Sequence, residues 1–199
     1  QVGGAQALES GLQGVGGRGG YVHGKSLARP RQYGVTAACL ATIHGLPKPG
    51  RPRMNIRPFQ GIHPTLGHRV YVDPAATVIG DLIIGDDSSI WPGTVVRGDV
   101  NFIRIGARTN VQDGTIIHVT HDGPYGKAGG FATIIGDDVT IGHGAIIHAC
   151  VIEDACLIGM GATVLDGAVV KKHGFVGAGA LVPPGKVVGE GELWLGNPA

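Results

Sequence analysis

Three of the nine histidines, His118, His143 and His148, share one stretch of the chain with Arg97, Asp99, Asn110, Gln112 and Asp113. Neutral imidazole is a metal ligand, and near its ordinary pKa of about 6.5 it also carries protons. Three neutral imidazoles at roughly 2.0–2.1 Å from one ion, with a fourth position left to water, form the donor set of a catalytic zinc site. A pair of histidines stacked on a surface without metal is the plainer alternative, and a single histidine acting as general base is a third. The neighbours carry the same duality. Arg97 and Asp99 fit an ion pair sealing an interface as well as direct chemistry, and Asn110 and Asp113 fit side chains that satisfy turn amides.

The element that must position these groups is read from a period of six. Val72, Val78, Ile84, Ile90, Val96 and Phe102 are spaced by six; the series restarts at Ile105, Val111 and Ile117, and resumes at Ile135, Ile141 and Ile147. It then slips by one and runs Ile152, Ile158, Val164, Val170, Val176, Val182. Four residues after an anchor the side chain is small or β-branched, as at Ser88, Thr94, Thr109, Thr115, Ala145, Val151, Cys156, Ala162, Ala168 and Ala180. Neither the helical period near 3.6 nor the strand period of 2 explains this, but a short strand followed by a tight turn does. Three such hexads close one triangular coil, with anchors inside and neighbouring coils paired as parallel strands. A β-sandwich, with strands at irregular spacings of roughly 8 to 12 residues, does not fit that register.

The same register places the histidines. Ile105 and Ile135 are separated by one coil plus twelve residues, so a loop within 118–133 bulges from one corner. With the loop set aside, His118 and His148 occupy the same station in successive coils and are expected to stack. His143 leaves the prism one face earlier, in a different direction. One chain therefore does not bring all three imidazoles to a point, whereas two chains packed side by side do.

The segments VVRGDVNFIRIGARTNVQDGTIIHVTH and TIGHGAIIHACVIEDACLIGMGA resemble the gamma-class carbonic anhydrase family, in particular its bacterial carbonic-anhydrase-like branch. The resemblance covers roughly residues 58–199. It implies an all-β fold, a left-handed parallel β-helix of hexapeptide repeats, assembled as a homotrimer acting on carbon dioxide and bicarbonate. It implies that His118, His143 and His148 bind zinc, with iron or cobalt as other occupants, at a site shared between subunits. Arg97 and Asp99 are then residues that join subunits, Gln112 with Asn110 orients the reacting hydroxide or bicarbonate, and Asp113 supports that network. Two positions depart from the archaeal prototype, whose proton-moving glutamates are replaced here by Val100 and His121. His121 is accordingly the candidate proton shuttle. The resemblance also implies a C-terminal helix, which a sequence stopping at Asn197-Pro198-Ala199 is expected to lack.

Composition sets the outer limits. Glycine supplies 37 of 199 residues and aromatics only 5%, which calls for many tight turns but shows no strict collagen period. No apolar run reaches the roughly 20 residues of a membrane-spanning helix. The formal charge of +1 averages a basic, glycine-rich arm, 1–53, with an acidic body, 54–199. The arm lacks the aromatic interleaving and helical stripe of a nucleic-acid or membrane binder; it reads as a disordered or non-native extension, acid-poor and arginine-bearing as transit peptides are. Cys39, Cys150 and Cys156 form no CxxC pair, which fits a reducing, cytoplasmic compartment, or a mitochondrial one if the arm is a transit peptide. Two other functions use the same prism: a metal-free hexapeptide acyltransferase or acyl-CoA thioesterase, and a non-catalytic metal-binding trimeric scaffold.

Overall fold

The computed structural model describes residues 55–123 and 127–199; the basic arm lies outside the described residues. Every described element is a strand, from Asn55–Arg57 to Leu193–Trp194, and all strand pairings are parallel. One prism face is a 7-stranded sheet built from Tyr71–Val72, Ser89–Ile90, Asn110–Val111, Thr140–Ile141, Leu157–Ile158, Phe175–Val176 and Leu193–Trp194. The other two faces belong to a 12-stranded sheet, continuous because Thr77–Ile84 and the 11-residue strand Val95–Ile105 run on round a corner. One of these faces stacks Ile116–His118, Ile146–His148, Thr163–Val164 and Leu181–Val182; the other stacks Thr133–Ile135, Val151–Ile152, Val169–Val170 and Val187–Val188. No helix among the described residues is long and apolar enough to cross a membrane.

The hexad anchors fill the prism, and all except Phe102 are buried. Their β-branched side chains suit extended backbone and stack rung upon rung, each burial contributing on the order of 1.5–3 kcal/mol. The small stations line the inside of the corners, where larger groups would not fit. Their hydroxyls are satisfied by carbonyls of the coil above: Ser88 donates to Gly106 O at 2.8 Å, Thr94 to Gln112 O at 3.0 Å, Thr109 to Gly136 O at 2.8 Å and Thr115 to Gly142 O at 3.1 Å. Val151 does not follow this rule. It is only partly buried, and Cys150, 1% exposed, takes the inner place where the register slips. One series of corners needs left-handed backbone, and Gly114, Gly144, Gly161 and Gly179 adopt φ of 69°, 66°, 65° and 67° there.

Two insertions interrupt the winding. Ile103 pairs with Thr133 and His118 with His148, each across one coil plus the insertion, so the twelve-residue loop stands where the register puts it. The second insertion escapes the hexad count. Val78 pairs with Val96, but after Gly80 and Gly98 the register shifts, and Leu82 pairs with Ile103. Three extra residues, Asp99 to Asn101, bulge outward. Phe102, the expected anchor, is consequently 37% exposed and carries the Arg104 guanidinium 4.6 Å from its ring centre, while Ile103 and Ile105 point inward. Gly98 permits the bulge, since a Cβ there would lie 2.4 Å from the Asp81 carbonyl oxygen.

Candidate metal centre

His118 and His148 end neighbouring rungs of one face, and their rings lie 5.2 Å apart between centroids. His118 Nδ1 faces His148 Nε2 at 3.2 Å. Each outer ring nitrogen meets a carboxylate: His118 Nε2 is 2.9 Å from Asp99 Oδ1, and His148 Nδ1 is 2.5 Å from Asp166 Oδ1. Asp99 also pairs with Arg97 through its second oxygen, and Asp166 accepts the Thr120 hydroxyl through its own. The Asp99–Asn101 bulge is what carries Asp99 out of the repeat and over His118.

These contacts fix the protons. An ionised carboxylate only accepts, so His118 donates from Nε2 and His148 from Nδ1. With both rings in the neutral, ligating form, the two nitrogens that face each other at 3.2 Å are both bare, an arrangement that a cation between or beside them relieves. That separation is what two ligands show when each sits roughly 2.0–2.1 Å from one tetrahedral ion. Imidazoles whose far nitrogens donate to carboxylates are also the usual surroundings of a metal site. The donor set therefore fits a metal of the zinc class.

Burial would raise the Asp99 carboxyl, but hydrogen bonds from His118 and Arg97 prevail and hold it below the usual carboxylate range. Asp166 is held low in the same way, by Thr120 and His148 against burial. Burial pushes the His118 imidazole down, against the pull of Asp99, which favours the neutral ligand form. Cys150 lies beneath this corner with its thiol pushed up to about 12 by burial. Cys150 and Cys156 are buried free thiols, in keeping with a packing role; Cys39 lies outside the described residues.

His143 stands at another corner, after Thr140–Ile141, and with Trp91, Asn110, Gln112 and Asp113 it lines an open cavity of about 260 Å³. Its Nδ1 is 3.0 Å from Asp113 Oδ2, so the ring donates from Nδ1 and Nε2 is not engaged by that carboxylate. Asp113 thus holds an imidazole rather than a turn amide, and Asn110 donates to Ser89 Oγ at 2.8 Å. Trp91 Nε1 donates to the same hydroxyl at 3.2 Å. The structure gathers His118, His148, Arg97 and Asp99 at one edge of a face and His143, Asn110, Gln112 and Asp113 at the other. Among the described residues no three His, Cys, Asp or Glu side chains converge on a common point. His121 follows Thr120 at the start of the inserted loop and is exposed.

Asp166 and Thr120 were not singled out from sequence. Asp166 stands one full coil after His148, which is the available signal; the slip in register hides it, because Leu165 rather than Asp166 continues the His148 rung. Trp91, 39% exposed, walls the His143 cavity.

A family model described as bacterial transferase hexapeptide (six repeats) matches residues 63–98. The chain is 53% identical over 136 residues to gamma carbonic anhydrase 1, mitochondrial, of Arabidopsis thaliana, covering 68% of this chain and 49% of that protein. It is 48% identical over 143 residues to protein YrdA of Escherichia coli, covering 72% and 77% respectively. It thus spans about half the length of the Arabidopsis relative and most of the bacterial one. Among solved structures, a hexapeptide transferase family protein from Anaplasma phagocytophilum superimposes with a TM-score of 0.66 at 41% identity, covering 73% of this chain and 81% of that one. A putative acetyltransferase from Bacillus cereus gives 0.64 at 40%, covering 72% and 78%. With extensive identity to both plant and bacterial relatives on one parallel prism, the chain belongs to the gamma-class carbonic anhydrase family of hexapeptide-repeat proteins.

Proposed function

We propose that this protein hydrates carbon dioxide to bicarbonate at a metal centre shared between two copies of the chain. The observation that carries the reading is that each of the three histidines has one ring nitrogen on a carboxylate, Asp99, Asp113 or Asp166, while the second nitrogens of His118 and His148 face each other at 3.2 Å. His118 and His148 of one copy supply two ligands and His143 of a second copy the third, in a homotrimer. The face between the two half-sites supports this assembly. It carries Ile116 and Ile146 in register, 46% and 40% exposed, an apolar rung pair suited to burial against another copy.

Held by His118, His148 and the second copy's His143, a zinc-class ion would supply Lewis acidity that lowers the pKa of water to about 7 and so makes hydroxide available at neutral pH. The chain's own groups do the rest. Asp99, Asp113 and Asp166 hold the imidazoles in the ligating tautomer. Gln112 and Asn110 line the cavity beside His143 and orient the hydroxide or the product bicarbonate. Arg97 braces Asp99 and joins the adjoining subunit. His121, one residue beyond the Thr120 anchor, takes up the released proton in place of the missing glutamates. Zinc is the proposed occupant, with iron and cobalt accepting the same donors.

A second reading is acyl transfer or acyl-CoA hydrolysis with a histidine base and no metal; the name of the Bacillus cereus structure, a putative acetyltransferase, supports its acyl-transfer form alone. A third is a metal-binding scaffold without turnover. Metal analysis, carbon dioxide hydration and acyl-CoA hydrolysis on one purified sample separate the three. Hydration that chelation abolishes and zinc restores is the expected result; hydrolysis indifferent to chelation overturns the proposal. The mitochondrial names of the Arabidopsis relatives support a mitochondrial destination, with residues 1–53 as transit peptide. A reporter fused to 1–53 that stays in the cytoplasm refutes that destination and leaves the cytoplasmic alternative.

A further inference from the structure

Both oxygens of Asp166 are committed. Oδ1 lies 2.5 Å from His148 Nδ1, and Oδ2 accepts the Thr120 hydroxyl. The Asp166 backbone is fixed as well, its carbonyl accepting Gly185 N–H at 2.9 Å. Thr120 is itself held on three sides. Its N–H donates to Phe131 O at 3.0 Å, the Phe131 N–H donates back at 3.1 Å, and Asn101 Nδ2 donates to its carbonyl at 3.2 Å. Phe131 closes the twelve-residue insertion and Asn101 belongs to the three-residue bulge, so both irregularities of the coil end on the residue that grips Asp166.

We propose that Asp166, locked by Thr120, is a positioning residue that keeps the His148 proton on Nδ1 and so turns the Nε2 lone pair toward His118. The proposal deepens the metal-centre reading and rests on it for the identity of the ligands. Its physical content is separate: an imidazole with both nitrogens free interconverts between tautomers and ring orientations, whereas a carboxylate that can only accept selects one. The Thr120 hydroxyl has one proton to donate, and giving it to Oδ2 leaves Oδ1 for the imidazole. Without Thr120 the carboxylate is free to turn. Without Asp166 the imidazole is free to turn.

Two readouts test this on the full chain. In the metal-free protein, long-range nitrogen–proton correlation spectra of the histidine rings report the tautomer. His148 is expected in the Nδ1–H form in the wild type, and as a mixture in Asp166→Ala. Zinc affinity, measured by competition with a chromophoric chelator, is expected to fall roughly 10–100-fold in Asp166→Ala. Thr120→Val moves in the same direction by a smaller factor, and keeps the test open if Asp166→Ala does not fold. Asp166→Asn is expected to recover much of the affinity, because the Thr120 hydroxyl can accept from the amide nitrogen and leave the amide oxygen facing His148. A wild-type tautomer and wild-type affinity in both Asp166→Ala and Thr120→Val overturn the proposal while leaving the metal centre intact. If zinc binding is instead insensitive to His148→Ala, the metal-centre reading fails, and the tautomer spectra still decide whether Asp166 orients the ring.

Discussion

If the centre is completed between copies, two inactive variants must repair each other. In one variant His143→Ala removes the ligand on one edge of the apolar face; in the other His118→Ala and His148→Ala remove the pair on the opposite edge. Neither homo-oligomer contains a complete set of three imidazoles. In a co-expressed mixture, an interface is complete when the chain offering its His143 edge is the double variant and the chain offering its His118 edge is the single variant. With equal amounts and random assembly, each condition holds for half the chains, so about a quarter of the interfaces are restored in any closed ring of heterologous contacts. The fraction does not depend on whether the ring holds two or three chains. Zinc retained per chain after dialysis and the hydration rate are both expected to rise from near zero to about one quarter of wild type, provided that native mass spectrometry shows mixed oligomers. Mixed oligomers that hold no more metal than the separate variants refute a shared centre. So does a His143→Ala protein that binds zinc with undiminished affinity.

The scaffold and its protons supply two further tests. Thr109 is buried, donates to Gly136 O at 2.8 Å and accepts Val139 N–H at 3.2 Å; Thr109→Val leaves the buried Val139 N–H unpaired, at about 1–3 kcal/mol, and the half-buried Gly136 carbonyl without its donor, whereas Thr109→Ser keeps both bonds and loses about 1 kcal/mol with the methyl group. Urea midpoints should rank wild type above Ser above Val, and a Val variant equal to wild type refutes the hydroxyl ladder. The metal-free protein should lose stability in two pH windows. His118 is depressed below 6.5 in the fold, so on acidification the unfolded chain takes up its proton first; stability falls below pH 6.5 and levels off beneath the folded value. Asp99 and Asp166 are depressed below 3.8; their contribution is present above that pH and is lost as the pH falls through their folded values. A denaturation midpoint in His118→Asn that still falls as steeply between about pH 7 and 5.5 removes His118 as the source of the first window.

The regular part of this molecule was legible because one physical requirement repeats every six residues: an inward aliphatic group followed by a turn that tolerates only small side chains inside. The buried stack from Val72 to Val182 satisfies it, and the stacking of His118 on His148 follows from counting alone. The count failed at Phe102 because the three-residue bulge leaves another bulky apolar side chain six places after Val96. A hexad template sees only spacing, whereas the register between Thr77–Ile84 and Val95–Ile105 records the shift after Gly80 and Gly98 directly.

The same irregularities explain why half of the candidate centre stayed hidden. A strictly periodic coil stacks like residues over like and offers each imidazole only the rungs above and below it. In the His118–His148 stack the acid that meets each outer nitrogen comes from a place where the winding is broken. Asp99 comes from the bulge. Thr120 is brought to Asp166 by the foot of the inserted loop, and Asp166 itself follows the one-residue slip that puts Leu165 on the His148 rung. The departures from the repeat thus supply the partners that the repeat cannot, which is where a functional site is expected to conflict with local rules. His143 and Asp113 lie on regular coil, on either side of the same loop, and their contact at 3.0 Å could have been read by counting. What counting cannot supply is the second copy, because the winding of one chain keeps the His143 edge and the His118 edge on opposite sides of a strand.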